Sequence, residues 1–312
     1  SQIQMLLKHL DLAVQAASEQ GANQSAVYNS VLHEKAMRRQ AIARYLQTAL
    51  EKDELEVRYR PTYNLKEKRF TRADSYMRIF IQGIGLVGAA EFIPIAEDSG
   101  QIRAVGYYAL EHAGHFIQEL IQAGKEFESI CIPVSPILLV QEDFLDKVND
   151  VLTRYEIPEG KLALELDDEA LSSVYINVNI IMQELSSMGV ELVLNHFGSG
   201  CAPITSVLDL PINTVKLERM FVWQLENNPA SACIAGGLIQ IARDLDLRII
   251  AEGVETENQL NTLSGRGKEK DGALKRIYKR KRPGFRSLPL ILPESGGRRR
   301  FPPSRTDRKF LL

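Results

Sequence analysis

The chain alternates short apolar runs with amphipathic segments through most of its length, and this alternation limits the possible folds more than any other feature. Strand-like runs cover residues 55–59, 70–80, 129–134, 161–166, 191–194, 214–217 and 248–251. Helical spacing of apolar residues covers 92–123, 144–155, 174–188 and 229–245. Strands that recur with helices between them predict an α/β fold, either a closed βα barrel or a doubly wound parallel sheet. Both folds build their functional site beyond the carboxyl ends of the strands.

The segment 192–200 is the clearest of these strand ends. It is an apolar run that stops on Asn195 and His196 and continues into a Gly-Ser-Gly turn. A buried parallel strand that ends in this way delivers two side chains to a site. Hard divalent cations prefer anionic oxygen ligands, and here the two side chains are an amide and an imidazole. The segment therefore predicts a pocket that is poor in metal ligands.

The composition is that of a globular protein with room for one large barrel or two medium-sized domains. The chain has 312 residues, of which 45% are hydrophobic and 25% charged, and its formal net charge is -2. Cys131, Cys201 and Cys233 never approach CxxC spacing, which predicts reduced thiols in a cytoplasmic protein. No apolar run reaches the roughly 18 residues that a transmembrane helix needs, so a membrane tether would have to lie in a region before this sequence.

Basic residues are concentrated at the carboxyl terminus. Residues 265–312 hold 16 Lys and Arg against 4 Asp and Glu, whereas residues 1–264 hold 22 against 36. This composition predicts a disordered tail or a non-native end of the coding sequence, such as a frameshift product. A basic arm at 266–309 that binds nucleic acid or an anionic membrane is the functional alternative. The apolar run 288–292 is the best strand candidate in the tail, although Pro289 argues against a central position.

Two helices are predicted before the alternating region. Apolar residues with helical spacing occupy the start of the chain, and the pattern stops near Gly21. From residue 31 to 52 the sequence is rich in Ala, Arg, Glu, Gln and Leu and contains neither Pro nor Gly. That composition predicts a continuous linker helix, with Leu46 and Leu50 facing the domain that follows.

Several motifs between about Arg39 and Leu263 resemble those of one family, the EAL domain. They are Phe92–Gly100, His196–Gly200, Leu210–Pro211 leading to Val215–Glu218, and Ala251–Thr256 followed by Gln259–Leu260. Each motif is weak alone, but together they follow the order and spacing of the family. Near the start of the chain, another set is similar to the closing helix and strand of a GGDEF domain, without its signature loop. This set consists of Leu6, Leu7, Asp11, Ala13, Ala17, Gly21 and Asn23.

These resemblances imply a domain organisation and an activity. We expect a GGDEF-like remnant at 1–30, the linker helix at 31–52, a degenerate EAL barrel at 53–264 and the basic tail at 265–312. The EAL family forms a TIM-like (βα)8 barrel and hydrolyses the bacterial messenger cyclic di-GMP with two Mg²⁺ or Mn²⁺ ions. The family's eighth-strand motif is missing after Leu263, so we expect a barrel in which a regular eighth strand could be absent.

The same resemblance shows where the site departs from the family. The Glu-Ala-Leu that gives the family its name reads Asp-Ser-Tyr here, beginning at Asp74, which is shorter than glutamate by one methylene group. A metal-binding asparagine of the family falls on Pro133, which has no side-chain donor atom. The paired aspartates of the family become Asn195 and His196.

Three other family positions keep their residue type. Glu165 matches a metal-binding glutamate, and Lys216 and Glu252 match a catalytic lysine near the attacking water and a further acidic residue. The vestigial metal site therefore comprises Asp74, Glu165, Asn195 and His196. We expect it to hold Mg²⁺ or Mn²⁺ poorly, and we expect no cofactor. A zinc site of Asp74, Glu165 and His196 is an open alternative, since imidazole suits that ion.

Nucleotide binding is a separate question from hydrolysis. Arg78 falls where the family keeps an arginine that contacts substrate, and it could pair with a phosphate. The Tyr-Gln-Pro of the family reads Tyr-Arg-Pro here, so Arg60 places a cation where a residue normally contacts guanine. For both arginines, a surface ion pair with a nearby acidic residue is the alternative.

The sequence thus predicts a non-catalytic EAL-type module in cyclic di-GMP signalling, acting as a regulatory sensor or a protein-interaction scaffold. Its expected partner is another signalling protein of a bacterial cytoplasm, and homodimerisation through residues 198–210 is a further expectation. Two alternatives stay open. One is a cyclic di-GMP phosphodiesterase with a weakened metal site, and the other is a nucleic-acid-binding regulator that acts through the tail.

Overall fold

The computed structural model describes residues 2–19, 21, 23–64, 67–168, 178–198, 204–256, 258–259, 263 and 275–277. These residues group into two compact units. One unit comprises Ser1–Glu56 and Arg78–Gln101, and the other comprises Val57–Met77 and Ile102–Leu312.

The first unit is mainly helical. Helix α1 (Gln2–Glu19) packs on α2 (Ser30–Glu51), and α2 also contacts α3 (Ala89–Asp98). The side chain of Asn29 accepts a hydrogen bond from the Leu32 amide at 2.9 Å, which caps the start of α2. Both helices expected before the alternating region are therefore confirmed.

The burial of α2 agrees only in part with expectation. Leu46 is buried and Leu50 is half-buried. That these two residues face the domain that follows stays a prediction. The resemblance to a GGDEF domain also predicted a closing strand after α1. Residue 21 and residues 23–29 are described, and none of them is in a strand. A strand needs a hydrogen-bonded neighbour, and no described strand pairs with this segment.

A β-hairpin completes the first unit. The end of strand β2 (Arg69–Ile81) pairs antiparallel with β3 (Gly85–Gly88), and Phe80 lies opposite Leu86. Gly83 in the turn and Gly85 at the start of β3 have φ values of 85° and 94°. Glycine adopts such values without steric cost, which explains the tight connection.

The region predicted as largely helical over 92–123 consists of two helices. α3 ends at Asp98, and α4 (Ile102–Gln122) begins a new helix. Between them Gly100 has a φ of 73°, which lies outside the right-handed helical region. The Ser99 hydroxyl donates a hydrogen bond to the Ile95 carbonyl at 2.7 Å and satisfies part of the helix end.

The second unit is built on a ring of strands. They are β1 (Glu56–Asn64), β2, β4 (Ser129–Pro133), β5 (Leu162–Asp167), β6 (Glu191–Phe197), β7 (Thr214–Leu217), β8 (Arg248–Ala251) and β9 (Lys275–Ile277). The order is β1-β9-β8-β7-β6-β5-β4-β2, and β1 also pairs with β2. From β2 to β9 the pairs are parallel, whereas β1 is antiparallel to β9. This topology confirms the predicted TIM-like α/β barrel.

The position of the eighth strand differs from expectation. The strand between β8 and β1 is β9, three residues long, and it lies within the basic tail. It pairs Ile250 with Lys275 on one side and Thr62 with Ile277 on the other. The run 288–292, which the sequence favoured, lies outside the described residues, as does the rest of the proposed basic arm.

Helices follow most strands of the second unit. After α4 they are α5 (Pro136–Leu139), α6 (Phe144–Arg154), α7 (Val178–Ser187), α8 (Arg219–Trp223) and α9 (Pro229–Asp244). Residues 174–177 of the predicted helix before β6 lie outside the described residues. Within the described ranges, no helix combines the length and the hydropathy that a membrane span requires.

Gly198, directly after β6, occupies a position that excludes a side chain. Its φ is 89°, and a Cβ there would lie 2.4 Å from Leu238 Cδ1 of α9. We expect Gly198→Ala to lower the free energy of unfolding by about 1–3 kcal/mol, through strain and overpacking. Gly237→Ala on the same helix is the matched control, because its Cβ would meet no atom within 4 Å. Urea denaturation that shows equal changes for both variants would contradict this explanation.

Candidate functional site

A lysine ammonium surrounded by carboxylates lies inside the second unit. Lys216 exposes 2% of its side chain, and its Nζ lies 3.0 Å from Asp74 Oδ1 and 3.5 Å from Glu252 Oε1. It also donates a short hydrogen bond to Glu165 Oε2. Because three carboxylates surround one ammonium, the cluster is net negative when all four groups are ionised.

Four separate strands position this cluster. Asp74 lies on β2, Glu165 on β5 and Lys216 on β7, and Glu252 directly follows β8. Inward-pointing side chains of neighbouring barrel strands meet in layers, which brings residues distant in sequence into contact. The structure thus brings together four of the residues predicted for the site.

The carboxylates keep Lys216 protonated. Burial alone would lower the pKa of Lys216, but Asp74 and Glu165 outweigh burial and hold that pKa well above its ordinary value. The ammonium therefore carries its charge at neutral pH, in a place where the family resemblance predicts metal ions.

Asp74 lacks hydrogen-bond donors. Both of its carboxylate oxygens are shielded from solvent, and neither accepts a hydrogen bond from a described residue. The ion pair with Lys216 Nζ, 3.0 Å from Oδ1, balances the charge of Asp74 but lies outside hydrogen-bond geometry. Buried acceptors are normally satisfied, so these oxygens are candidates for a further ligand.

Asn195 and His196 contact a different pair of acidic residues. Asn195 Nδ2 donates a hydrogen bond to Asp167 Oδ1 at 2.9 Å. His196 Nδ1 lies 2.8 Å from Glu218 Oε2, and the His196 backbone has a φ of 58°. A positive φ is uncommon outside glycine and helps to direct the imidazole toward Glu218.

The described side chains do not fit a pair of hard divalent ions. Pro133 lies at the exposed end of β4, opposite Glu165 in register, and supplies no ligand. Within the described residues, the potential metal-binding side chains with donor atoms within 4.8 Å of one another are those of Asp74, Cys131 and Glu165. His196 is not among them, so the predicted zinc set of Asp74, Glu165 and His196 does not form. No step that depends on two metal ions follows from this arrangement.

Cys131 is a site residue that the sequence analysis missed. It lies on β4 in register with Asp74, and it is 1% exposed. Its Sγ lies 3.8 Å from Glu165 Oε2, and burial raises the pKa of its thiol well above the ordinary value. Residues two apart on a strand point to the same face. Cys131 lies two residues before Pro133, which holds a family metal position, so this spacing could have identified Cys131 as a residue that faces the site.

The two arginines expected to bind nucleotide have other partners. Within the first unit, Arg78 Nε lies 2.6 Å from Glu56 Oε2, which is the ion pair that the alternative anticipated. Within the second unit, Arg60 Cζ lies 5.2 Å from the centre of the Tyr76 ring, in a cation–π contact. Residues 199–203 of the predicted dimerisation segment lie outside the described residues.

Curated relatives share most of this sequence region. The chain is 26% identical over 262 residues to the bifunctional diguanylate cyclase/cyclic di-GMP phosphodiesterase MucR of Pseudomonas aeruginosa, which covers 84% of the chain and 38% of MucR. It is also 26% identical over 263 residues to the signaling protein YkoW of Bacillus subtilis, covering 84% and 33%. The chain therefore spans about a third of the length of these relatives.

Solved structures and a family model agree on the fold. The PaMucR phosphodiesterase in its c-di-GMP complex has a TM-score of 0.70 at 25% identity, covering 76% of this chain and 94% of that one. The FimX EAL domain from Pseudomonas aeruginosa bound to c-di-GMP has a TM-score of 0.68 at 19% identity, covering 76% and 93%, a likeness of fold alone. The model of the EAL domain matches residues 43–268. Because that match covers most of a chain with the same barrel, the chain belongs to the EAL domain family.

Proposed function

We propose that this chain is a non-catalytic EAL-type module of cyclic di-GMP signalling, which acts as a regulatory sensor or a protein-interaction scaffold. One observation carries the proposal. Asp74 and Glu165, which the family resemblance assigns to the metal ions, are ion-paired with the buried ammonium of Lys216. The neighbouring family positions add no anionic oxygen, because they hold Pro133 and Asn195.

The loss of two carboxylates removes a large electrostatic contribution to the free energy of metal binding. A carboxylate at about 4 Å from a divalent ion contributes roughly 8 kcal/mol of gross attraction at an effective dielectric near 20, twice the figure for a pair of unit charges. Two carboxylates of this kind are replaced by Asn195 and His196. Mg²⁺ loses its hydration water reluctantly, so a site with this deficit cannot compensate the ion for dehydration.

The signalling part of the proposal is supported by the relatives. MucR is named as a bifunctional diguanylate cyclase/cyclic di-GMP phosphodiesterase, and the PaMucR and FimX structures contain c-di-GMP. The contacts of the two arginines favour a scaffold over a nucleotide sensor. A bound nucleotide that used Arg78 would have to displace Glu56, and one that used Arg60 would disturb its contact with Tyr76.

A turnover assay tests the loss of catalysis. The full chain is incubated with cyclic di-GMP and excess Mg²⁺ or Mn²⁺, and the linear dinucleotide is quantified by chromatography beside the MucR phosphodiesterase. Loss of groups that only support metal ligands costs about 10–100-fold each, so we expect at least about 1,000-fold less product than from MucR. A rate within about tenfold of MucR would show that the chain is a phosphodiesterase.

A calorimetric titration with cyclic di-GMP separates the sensor from the scaffold. We expect no binding heat up to high micromolar nucleotide, because both arginines already have partners. Saturable heat that disappears in Arg78→Met would instead identify a nucleotide sensor. Lys125→Met is a suitable control, since Lys125 is exposed.

A further inference from the structure

We propose that the gap between β8 and β1 is a docking site for an extended strand of a partner protein, which enters in place of β9. This inference deepens the proposed scaffold function and rests on it, because it names the kind of partner that the scaffold holds. In the strand order, β9 alone separates β8 from β1. The two edges of the gap are residues 57–64 of β1 and Arg248–Ala251 of β8, and both belong to the second unit.

β9 covers only part of these two edges. Its residues, Lys275–Ile277, pair with residues 62–64 of β1 and with Ile250 and Ala251 of β8. Along the edge of β1 that faces β9, no described residue pairs with residues 57–61. Backbone donors and acceptors along a strand need partners, so this edge of β1 can accept a longer strand than β9.

The amino-acid composition of β9 differs from that of the strands beside it. Two of its three residues are basic. By contrast, Ile249, Ile250 and Ala251 of β8 and Val57 of β1 are apolar and buried. A strand that is covered on both faces usually consists of a run of Val, Ile and Leu. An apolar strand therefore offers more surface for burial in this gap than a Lys-Arg-Ile segment does.

Thr62 indicates which side chain the incoming strand carries. The residue is fully buried, and its Oγ1 makes no hydrogen bond with a described residue. Its partner in the ladder is Ile277, a residue type without a side-chain donor or acceptor. Threonine and serine hydrogen-bond to threonine when they lie opposite it on a neighbouring strand. The site therefore favours an apolar strand with a threonine or serine opposite Thr62.

The partner strand binds by β-augmentation. It runs antiparallel to β1 and parallel to β8, which are the directions that β9 takes. Main-chain hydrogen bonds give such a complex its affinity, and alternate side chains give it specificity. A partner strand of about six residues, the usual strand length, covers more of both edges than β9 covers. The exchange of β9 for this strand is therefore favourable.

A labelled peptide tests the exchange on the full chain. The probe is a fluorescein-labelled peptide of alternating valine and threonine, about six residues long, with a lysine at each end for solubility. We expect its fluorescence anisotropy to rise to saturation. Hydrogen exchange, measured by mass spectrometry, should slow in residues 57–64 and in Arg248–Ala251 when the peptide binds.

A proline in β9 should favour the peptide, because it weakens the competing strand. Ile277→Pro removes a ladder donor, and we expect it to tighten peptide binding at least about threefold. Ile291→Pro is the matched control, since it makes the same substitution in the tail but outside β9. We expect this control to bind the peptide as the wild type does.

Thr62→Val separates recognition of the strand from a change in folding, because it keeps the β-branched shape and removes only the hydroxyl. The wild type should bind the threonine peptide about threefold to tenfold more tightly than a peptide with valine at every threonine position. Thr62→Val should lose this preference, and circular dichroism checks that each variant is folded.

Four results would each overturn the proposal. They are the absence of peptide binding, equal affinity of the wild type for both peptides, equal affinity of Ile277→Pro and Ile291→Pro, and protection from exchange outside β1 and β8. The turnover assay is independent of all four, so failure of this docking site leaves the proposed loss of catalysis to be decided by that assay.

Discussion

Replacement of Lys216 by methionine is expected to lower the free energy of unfolding by about 3–5 kcal/mol at pH 7. Methionine fills most of the space of the lysine stem but leaves the largely buried carboxylates of Asp74 and Glu165, and the half-buried one of Glu252, without their common cation. Breaking a buried ion pair by removing one partner is costly, because the remaining charge is neither hydrated nor paired. Urea denaturation followed by circular dichroism measures the effect, with a chelator present to exclude metal binding.

Two further variants show whether charge causes that loss. Lys125→Met removes an exposed ammonium, and surface substitutions of this kind usually change stability by less than about 0.5 kcal/mol. The double variant Lys216→Met/Glu165→Gln removes one carboxylate charge as well, so it should recover at least about 1 kcal/mol relative to Lys216→Met. If Lys216→Met and Lys125→Met are equally stable, the buried cluster does not depend on its ammonium.

The barrel was predictable from the sequence because each strand is a short run with its own burial signal. All four residues of β7 are buried, and most residues of β4 and β5 are buried as well, as a parallel sheet covered on both faces requires. β9 gave no such signal, since three residues within a basic segment are too few for a periodic pattern. The break between α3 and α4 was signalled by Ser99 and Gly100, but helical spacing on both sides concealed it.

The residues of the site were predictable from the sequence, whereas the contacts that they make were not. Family positions identified Asp74, Glu165, Lys216 and Glu252, and the structure brings them together. The sequence could not show that His196 leaves this group. The pairing of β6 with β7 shifts register between Leu194 and Phe197, and such an irregularity redirects the side chains within it. The alternation of side chains that a sequence reveals assumes a regular strand, and it gives no sign of this register shift at His196.

A second buried ion pair lies near the amino-terminal ends of the barrel strands. Arg72 Nη1 lies 2.6 Å from Glu191 Oε1, and both side chains are at least nine-tenths buried. Ser129 Oγ donates a hydrogen bond to Glu191 Oε2 at 2.9 Å, and Thr214 Oγ1 donates one to Oε1 at 2.6 Å. Glu191 thus joins β2, β4, β6 and β7 through one carboxylate.

Acid should weaken the fold through this carboxylate. Burial opposes the ionisation of Glu191, but Arg72 and Thr214 outweigh burial and lower its pKa below the ordinary 4.5. A group with a depressed pKa in the folded state stabilises the fold fully above its unfolded pKa and loses that effect as pH falls through the folded value. Glu191 therefore contributes in full at neutral pH, and its contribution declines below about pH 4.5.

Glu191→Gln is the variant that isolates this contribution. At pH 7 we expect it to lower the free energy of unfolding by about 3–5 kcal/mol, because the buried Arg72 loses its 2.6 Å anionic partner and keeps only the more distant Glu128 carboxylate, 3.9 Å away. As the pH falls below about 4.5, the difference between wild type and variant should shrink, since the wild-type carboxylate is itself becoming protonated. Glu142→Gln, at an exposed position, should change stability little at any pH. Urea denaturation across this range measures all three proteins, and a difference that stays constant with pH would exclude Glu191 as the titrating group.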